Sequence, residues 1–417
     1  MESIERGSAV SSFFYCTKRQ AFVVWIQWKR VNTTWTPPSA TRPCSRELVN
    51  KPILPDGIWN LEHEVKSDDG SQLLPDPEWG EEVAEALEFS SPETFRFFLK
   101  ELCRILESEL ETHPYNTFGS FLAFYDAFKK QKGLTLEEFF RRYEATIMPD
   151  SLSCVGLGCS LASRMRANLG PCYPGLARAL FLASCEEMIM DVEAYVSQSP
   201  PSQSLSVKEH VLVVLRVDVE GRMGYVVLDP GYHVGIPVVV MEDGQFPDTG
   251  WFLSAETAKA KKEYCYAADG TYIKWHVKET RSGKVNTWTN LVFVGRKFLS
   301  CVGVSEKRNL VFNFRTIVAR NRDGPFAGIY CNFEGDERFT FFYNEVDQKR
   351  VEVKIPFDYF KGESTNNSFE GSIASCCAQI GFNEKMVKDM IVRLIEAFYD
   401  SDFLPFVRIL NLEIDEE

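Results

Sequence analysis

The chain has 417 residues and a formal net charge of −13, a balance that excludes nucleic acid and anionic membrane as main partners, because both demand a basic surface. Hydrophobic residues make up 45% and aromatics 13%, which excludes a disordered chain and allows more than one buried core. Twelve cysteines show no C-x-x-C and no paired Cys/His spacing, so zinc ligation and thioredoxin chemistry have no support.

Residues 1–90 read as a weakly ordered or irregular extension. Ala21–Trp28 has the composition of a single strand and is much too short to span a bilayer. Proline-rich TWTPPSATRPC and KPILPDG follow it, and SDDGSQLLPDPEWGEE is acidic and turn-rich. No secretory n-region and h-region opens the chain, so a reducing, cytoplasmic setting is expected. The sequons at Asn32 and Asn366 carry little weight without a secretion route.

Ser91-Pro92-Glu93 is a helix start, with a capping serine, proline at the first helical position and an acid in the first turn. Phe95, Phe98, Leu99, Leu102, Ile105, Leu106 and Leu110 continue it as an apolar stripe. A second helix is expected from Thr117 to Lys130, and a third from Thr135, with Glu138 placed for a capping box. These helices suggest a bundle up to Pro149, within a helical domain over 91–200. A further helix is expected over Leu176–Val196, placing Cys185 in a helix, and the Pro/Ser-rich 197–206 reads as a linker.

From His210 the pattern turns to strands: HVLVVLRVDV, GYVVL, IPVVVM, Glu263–Ala267, Thr271–Val277, Leu291–Val294, Leu310–Ala319, Gly328–Phe333, Phe339–Asn344 and Val351–Ile355. Asp269-Gly270 reads as a hairpin turn. Short strands at this spacing predict an antiparallel barrel or sandwich over 207–360. An amphipathic helix over Glu384–Tyr399 marks a C-terminal helical segment, 361–417. Helices first, strands next and helix last make the fold class α+β rather than α/β.

One stretch carries chemistry. In SCVGLGC, Gly156 and Gly158 lead into Cys159, and Leu161, Met165 and Leu169 follow on one helical face. A thiol at a helix N-terminus feels the positive end of the backbone dipole, which favours the nucleophilic thiolate. Glycines allow close approach of a substrate carbonyl, and first-turn N–H groups can hold an oxyanion. A buried structural cysteine fits the same residues, and Cys154 is a rival nucleophile in the same stretch.

Such a nucleophile needs an imidazole and a group to orient it. Of five histidines, His210 opens a strong strand, and Asp229 closes the next one. A four-residue Asp218–Gly221 loop sets His210 opposite Asp229, whereas a Gly221-Arg222 loop sets it opposite His233 and breaks the pair. The first register is preferred. His233 is the alternative base; His276 sits mid-strand and reads as structural, and His63 and His113 lie in unpromising contexts.

Cys159 at a helix start after glycines, HVLVVLRV on one strand and VVLDPGY on the next resemble the Cys-His-Asp core of arylamine N-acetyltransferases and the related transglutaminase-like fold. The resemblance spans about residues 90–360, and Gly231 and Pro237 after Asp229 match the acetyltransferase branch. The Arg-Gly-Gly that usually precedes that family's cysteine is replaced by Gly156-Leu-Gly158, and Leu161 stands where an acid is usual. The resemblance implies a papain/transglutaminase-like core in which Cys159 is acylated, His210 takes its proton and Asp229 orients His210. It also implies acetyl-CoA as co-substrate, no bound cofactor or metal, and a small-molecule amine as acceptor. Two other readings fit: a transglutaminase-like protease, amidase or transamidase acting on protein, and an inactive binding module of the same fold.

Overall fold

The computed structural model describes residues 72–417 apart from 202–209, 232–233, 257–259, 347–348, 363–366 and 417. The strand expected at Ala21–Trp28, His63, His233 and both sequons lie outside the described residues.

A short strand, β1 (Leu87–Phe89), leads into α1 (Pro92–Thr112). Ser91 caps this helix reciprocally with Thr94, and the expected apolar stripe is its buried face, except that Leu99 at its edge is only half-buried. After β2 (Tyr115–Asn116) come α2 (Phe118–Lys130) and α3 (Leu136–Arg142). Thr135 and Glu138 form the expected capping box on α3. Next is α4 (Cys154–Leu169), which begins five residues earlier than the glycines and Cys159 suggest.

The helix expected over Leu176–Val196 is instead a short α5 (Leu176–Ala179), a strand β3 (Leu180–Glu186) and a short α6 (Val192–Val196). Every residue of β3 is buried, because it lies inside a sheet with helices on one face and a second core on the other. A strand buried on both faces loses the apolar/polar alternation that would announce it. Cys185 is therefore a strand residue, paired with His210.

β4 (His210–Val219) and β5 (Arg222–Leu228) form a hairpin closed by Glu220 and Gly221, at φ 56° and 79°. Two consecutive left-handed residues make a primed two-residue turn, which matches strand twist. Val219 pairs with Arg222, so the register lies two residues from each of the two expected ones and, continued, sets His210 opposite Gly231. A two-residue slip keeps every side chain on its face. Asp229 thus becomes a diagonal neighbour of His210 rather than a direct one, and the pair survives.

β6 (Val238–Met241), β7 (Phe252–Glu256), β8 (Ala260–Asp269), β9 (Tyr272–Arg281) and β10 (Lys284–Phe293) follow. The β8–β9 turn is Gly270-Thr271, one residue later than expected, with Gly270 at φ 60°. Among the described residues, nine strands form one sheet in the order β6-β5-β4-β3-β10-β9-β8-β7, with β1 parallel to β4. Val238 and Val240 of β6 share a core with Tyr264, Tyr266 and Trp275 of β8 and β9, so the sheet curls into a half-barrel.

A π-helical turn (Val302–Glu306) runs into α7 (Lys307–Val311). β11 (Phe314–Asn321) starts later than the expected Leu310, because Leu310 and Val311 close a helix whose carbonyls Arg315 binds. β12 (Gly324–Asn332), β13 (Arg338–Asn344) and β14 (Arg350–Pro356) complete a second sheet, β14-β13-β12-β11-β2. α8 (Phe357–Phe360), α9 (Glu370–Ile380), α10 (Glu384–Tyr399) and α11 (Leu404–Glu416) close the chain.

The class is α+β, as expected, but neither the bundle nor a single barrel is seen. α1 and α4 bury their apolar faces on one side of β4, while α2 joins α9, α10 and α11 around the second sheet. The strands likewise divide between two sheets. Among the described residues no helix is long and apolar enough to cross a membrane.

Candidate active site

Ser153 caps α4, its hydroxyl accepting from the Val155 N–H at 3.1 Å, so Cys154 is the first helical residue. Gly156 and Gly158 lie inside the helix. A Cβ on Gly158 would stand 3.3 Å from Leu182 and 3.7 Å from Val213, so the glycine lets α4 lie close on β3 and β4. Its contribution is to helix–sheet packing rather than to substrate approach.

This start changes which cysteine meets His210. Cys159 is five residues along the helix, about 140° round and about 7.5 Å further on. It is 0% exposed and lies in the core shared with α1. Its neighbours include Cys301, Glu306 and Arg166. The hydrogen bond with Cys301, then burial, push its thiol well above the ordinary value, the setting of an inert cysteine. Cys154 is the cysteine that meets His210, to which it is hydrogen-bonded.

His210 opens β4, and its Nε2 lies 3.1 Å from both Oδ1 and Oδ2 of Asp229. Asp229 follows β5 directly, and its carbonyl accepts from the Val234 N–H at 3.2 Å, turning the chain. Burial opposes the imidazolium, but the Asp229 charge and hydrogen bonds from Asp229 and Cys154 outweigh it, holding His210 well above its usual value. Cys154, His210 and Asp229 are 3%, 2% and 1% exposed. A Cβ on Gly231 would fall 2.8 Å from both Cys154 Cβ and His210 Cε1, so the chain passes directly over the thiol–imidazole contact.

Three residues near the thiol escaped the sequence reading. The Asn309 amide Nδ2 donates to Cys154 Sγ at 3.6 Å. Glu306 accepts from the Ser153 hydroxyl, and burial raises its carboxyl to about 7 against the pull of Ser153 and Arg315. Tyr115 is pushed well up by burial and then by the Cys154 and Glu306 charges. All three lie far from Cys154 in sequence or carry no motif, although Glu306 and Asn309 have the i, i+3 spacing of one helical face.

The remaining described histidines have other partners. His113 Nδ1 pairs with Glu109 at 2.9 Å, and Glu109 pairs with Arg164 at 2.9 Å between α1 and α4. His276 meets Thr289 across β9 and β10, as expected for a mid-strand residue. Among the described residues no group of three His, Cys, Asp or Glu side chains is placed to hold a metal ion.

No protein-family model and no curated protein sequence matches this chain. The chemistry of the site rests on its geometry: a thiol at the positive end of a 16-residue helix, an imidazole hydrogen-bonded to it, and a carboxylate across the ring. These are the parts a cysteine nucleophile uses.

Proposed function

We propose that the protein is a cysteine-dependent acyltransferase built on a papain/transglutaminase-like core, with Cys154 as nucleophile, His210 as acid–base group and Asp229 as its orienting carboxylate. The observation that carries this reading is the Cys154–His210–Asp229 relay, drawn from the start of α4, the start of β4 and the end of β5. The glycines that carried part of the likeness to arylamine N-acetyltransferases follow this nucleophile rather than precede it, so the relay supports the wider class more than that branch.

In the proposed cycle the Cys154 thiolate attacks the carbonyl of an acyl thioester, and the helix N-terminus stabilises the oxyanion. The donor's C–S bond breaks, its thiol leaves with the proton from His210, and an acyl-cysteine remains. An amine then attacks, neutral His210 takes its proton, and the Cys154–acyl bond breaks to restore thiolate and imidazolium. Burial of all three side chains favours a small acyl group on a narrow donor arm over a folded polypeptide, and acetyl-CoA is the donor to test first. A reducing, cytoplasmic setting suits a reading that needs a reduced thiol.

Intact mass after incubation with acetyl-CoA tests it. Wild type and Cys159→Ala are expected to gain one acetyl-sized adduct, and Cys154→Ala none. An adduct kept by Cys154→Ala and lost by Cys159→Ala would overturn the assignment. A Cys154 that is reactive to iodoacetamide yet never acetylated, in a protein that cleaves or crosslinks polypeptide, would select the transamidase or protease reading.

A further inference from the structure

Asn309 reaches Cys154 from a distant part of the chain, on a segment held from both sides. One turn before it, Glu306 is bonded to Ser153, the cap of the nucleophile helix. The backbone carbonyl of Asn309 accepts from Arg315 Nη1 at 2.7 Å, and the Leu310 carbonyl accepts from Nη2 at 2.5 Å. Arg315 is 1% exposed and stacks on Phe121 and Phe333, with centroid distances of 4.5 and 5.5 Å. Arg308 and Leu310 on either side of Asn309 are buried, while Asn309 is only half-buried. The backbone is fixed, and the amide is the part of this turn directed at the thiol.

We propose that Asn309 is a catalytic residue whose side-chain amide donates a hydrogen bond to the oxyanion formed at Cys154; the proposal rests on the acyl-transfer reading above. When Sγ bonds to a carbonyl carbon, the former carbonyl oxygen becomes an oxyanion one carbon away from sulfur. A donor 3.6 Å from Sγ in the resting enzyme needs only a small rotation to follow the charge from sulfur to oxygen. The amide is a neutral donor, fixed before the reaction, so little reorganisation accompanies the charge transfer. Serving the thiolate alone is a different role, because it would favour the ground state as much as the transition state.

Two reactions of the same thiol separate these roles. Acylation by p-nitrophenyl acetate forms the S–C bond through an oxyanion and releases p-nitrophenolate, read as a single-turnover burst. Alkylation by iodoacetamide forms an S–C bond and expels iodide, with no oxyanion. In Asn309→Leu and Asn309→Ala, acylation is expected to slow by roughly 10²- to 10³-fold, with alkylation within about twofold of wild type and the melting profile retained. Unchanged acylation in either folded variant overturns the proposal. Acylation and alkylation falling in parallel also overturn it, since the amide would then be serving the thiolate. Wild type that is alkylated but acylated by neither p-nitrophenyl acetate nor acetyl-CoA would sink the acyl-transfer reading itself, and the oxyanion role with it.

Discussion

At Gly231 a single methyl group meets Cys154 and His210 at once. A Cβ there would sit 2.8 Å from Cys154 Cβ, 2.8 Å from His210 Cε1 and 3.3 Å from Cys154 Cα. The cysteine atoms belong to a packed helix start and the ring is held by Asp229, so neither yields without losing the thiol–imidazole contact. Gly231→Ala is expected to lower Cys154 acylation about 10²-fold or more, the scale of a misplaced catalytic group, while the fold persists. A single-turnover p-nitrophenyl acetate burst checks it, and a wild-type burst rate in a folded Gly231→Ala would show that the contact can relax. His210 and Asp229 were legible because strand ends announce themselves by composition. Cys154 was not separable from Cys159 by local pattern, since both lie within two residues of a glycine in one apolar stretch. Only the rotation of the helix decides which thiol faces β4.

The element that decides the site is α4, and its start depends on one hydroxyl. Ser153 caps the Val155 N–H and also donates to Glu306, so it ties α4 to the turn that carries Asn309. Loss of an N-cap side chain costs about 1 kcal/mol, and a buried acid left short of a partner roughly 1–3 kcal/mol more. Ser153→Ala is therefore expected to destabilise by about 2 kcal/mol or more in urea unfolding, with acylation slowed by fraying at Cys154. A change under about 0.5 kcal/mol, the range of ordinary surface substitutions, would show that the cap does not anchor the helix. The same scale explains where the sequence misleads. α1, α2, α3 and α10 carry one apolar face each and were read correctly. β3 is buried on both faces and lacked any period to read.

Across the whole molecule the buried charges set a pH dependence of stability. Glu306 titrates at about 7 rather than 4.5, so the folded state binds a proton that the unfolded chain releases between those values. Stability contributed there falls as pH rises, by roughly 3 kcal/mol over the window. His210, raised above 6.5, acts in the same direction: its contribution is full below 6.5 and is lost as pH climbs through its folded value. Glu109 works the other way. Burial opposes its charge, but His113, Arg164 and Ser160 hold it below 4.5, so its contribution is lost as acid protonates it. The melting temperature is expected to be highest near pH 5 and to fall toward pH 8. Glu306→Gln should flatten the decline between about pH 5 and 7 and leave the later part, due to His210, in place. A wild-type melting temperature that rises across this range would refute the assignment of these groups.

The residue types themselves determined the α+β class, the helix caps at Ser91 and Thr135, most of the strands and the His210–Asp229 pair. These follow from local rules: capping needs neighbours within one turn, strand composition is read over a few residues, and a hairpin brings partners from about twenty residues apart. The tertiary structure decided what local rules cannot reach. It chose Cys154 over Cys159 because helix α4 docks on β3 and β4 in one rotation. It divided the helices and strands between cores because each amphipathic face finds its partner by burial rather than by order in the chain. It brought Glu306 and Asn309 to the thiol because Arg315 and Ser153 fix a turn some 150 residues downstream, a relation that exists only once the chain has closed on itself.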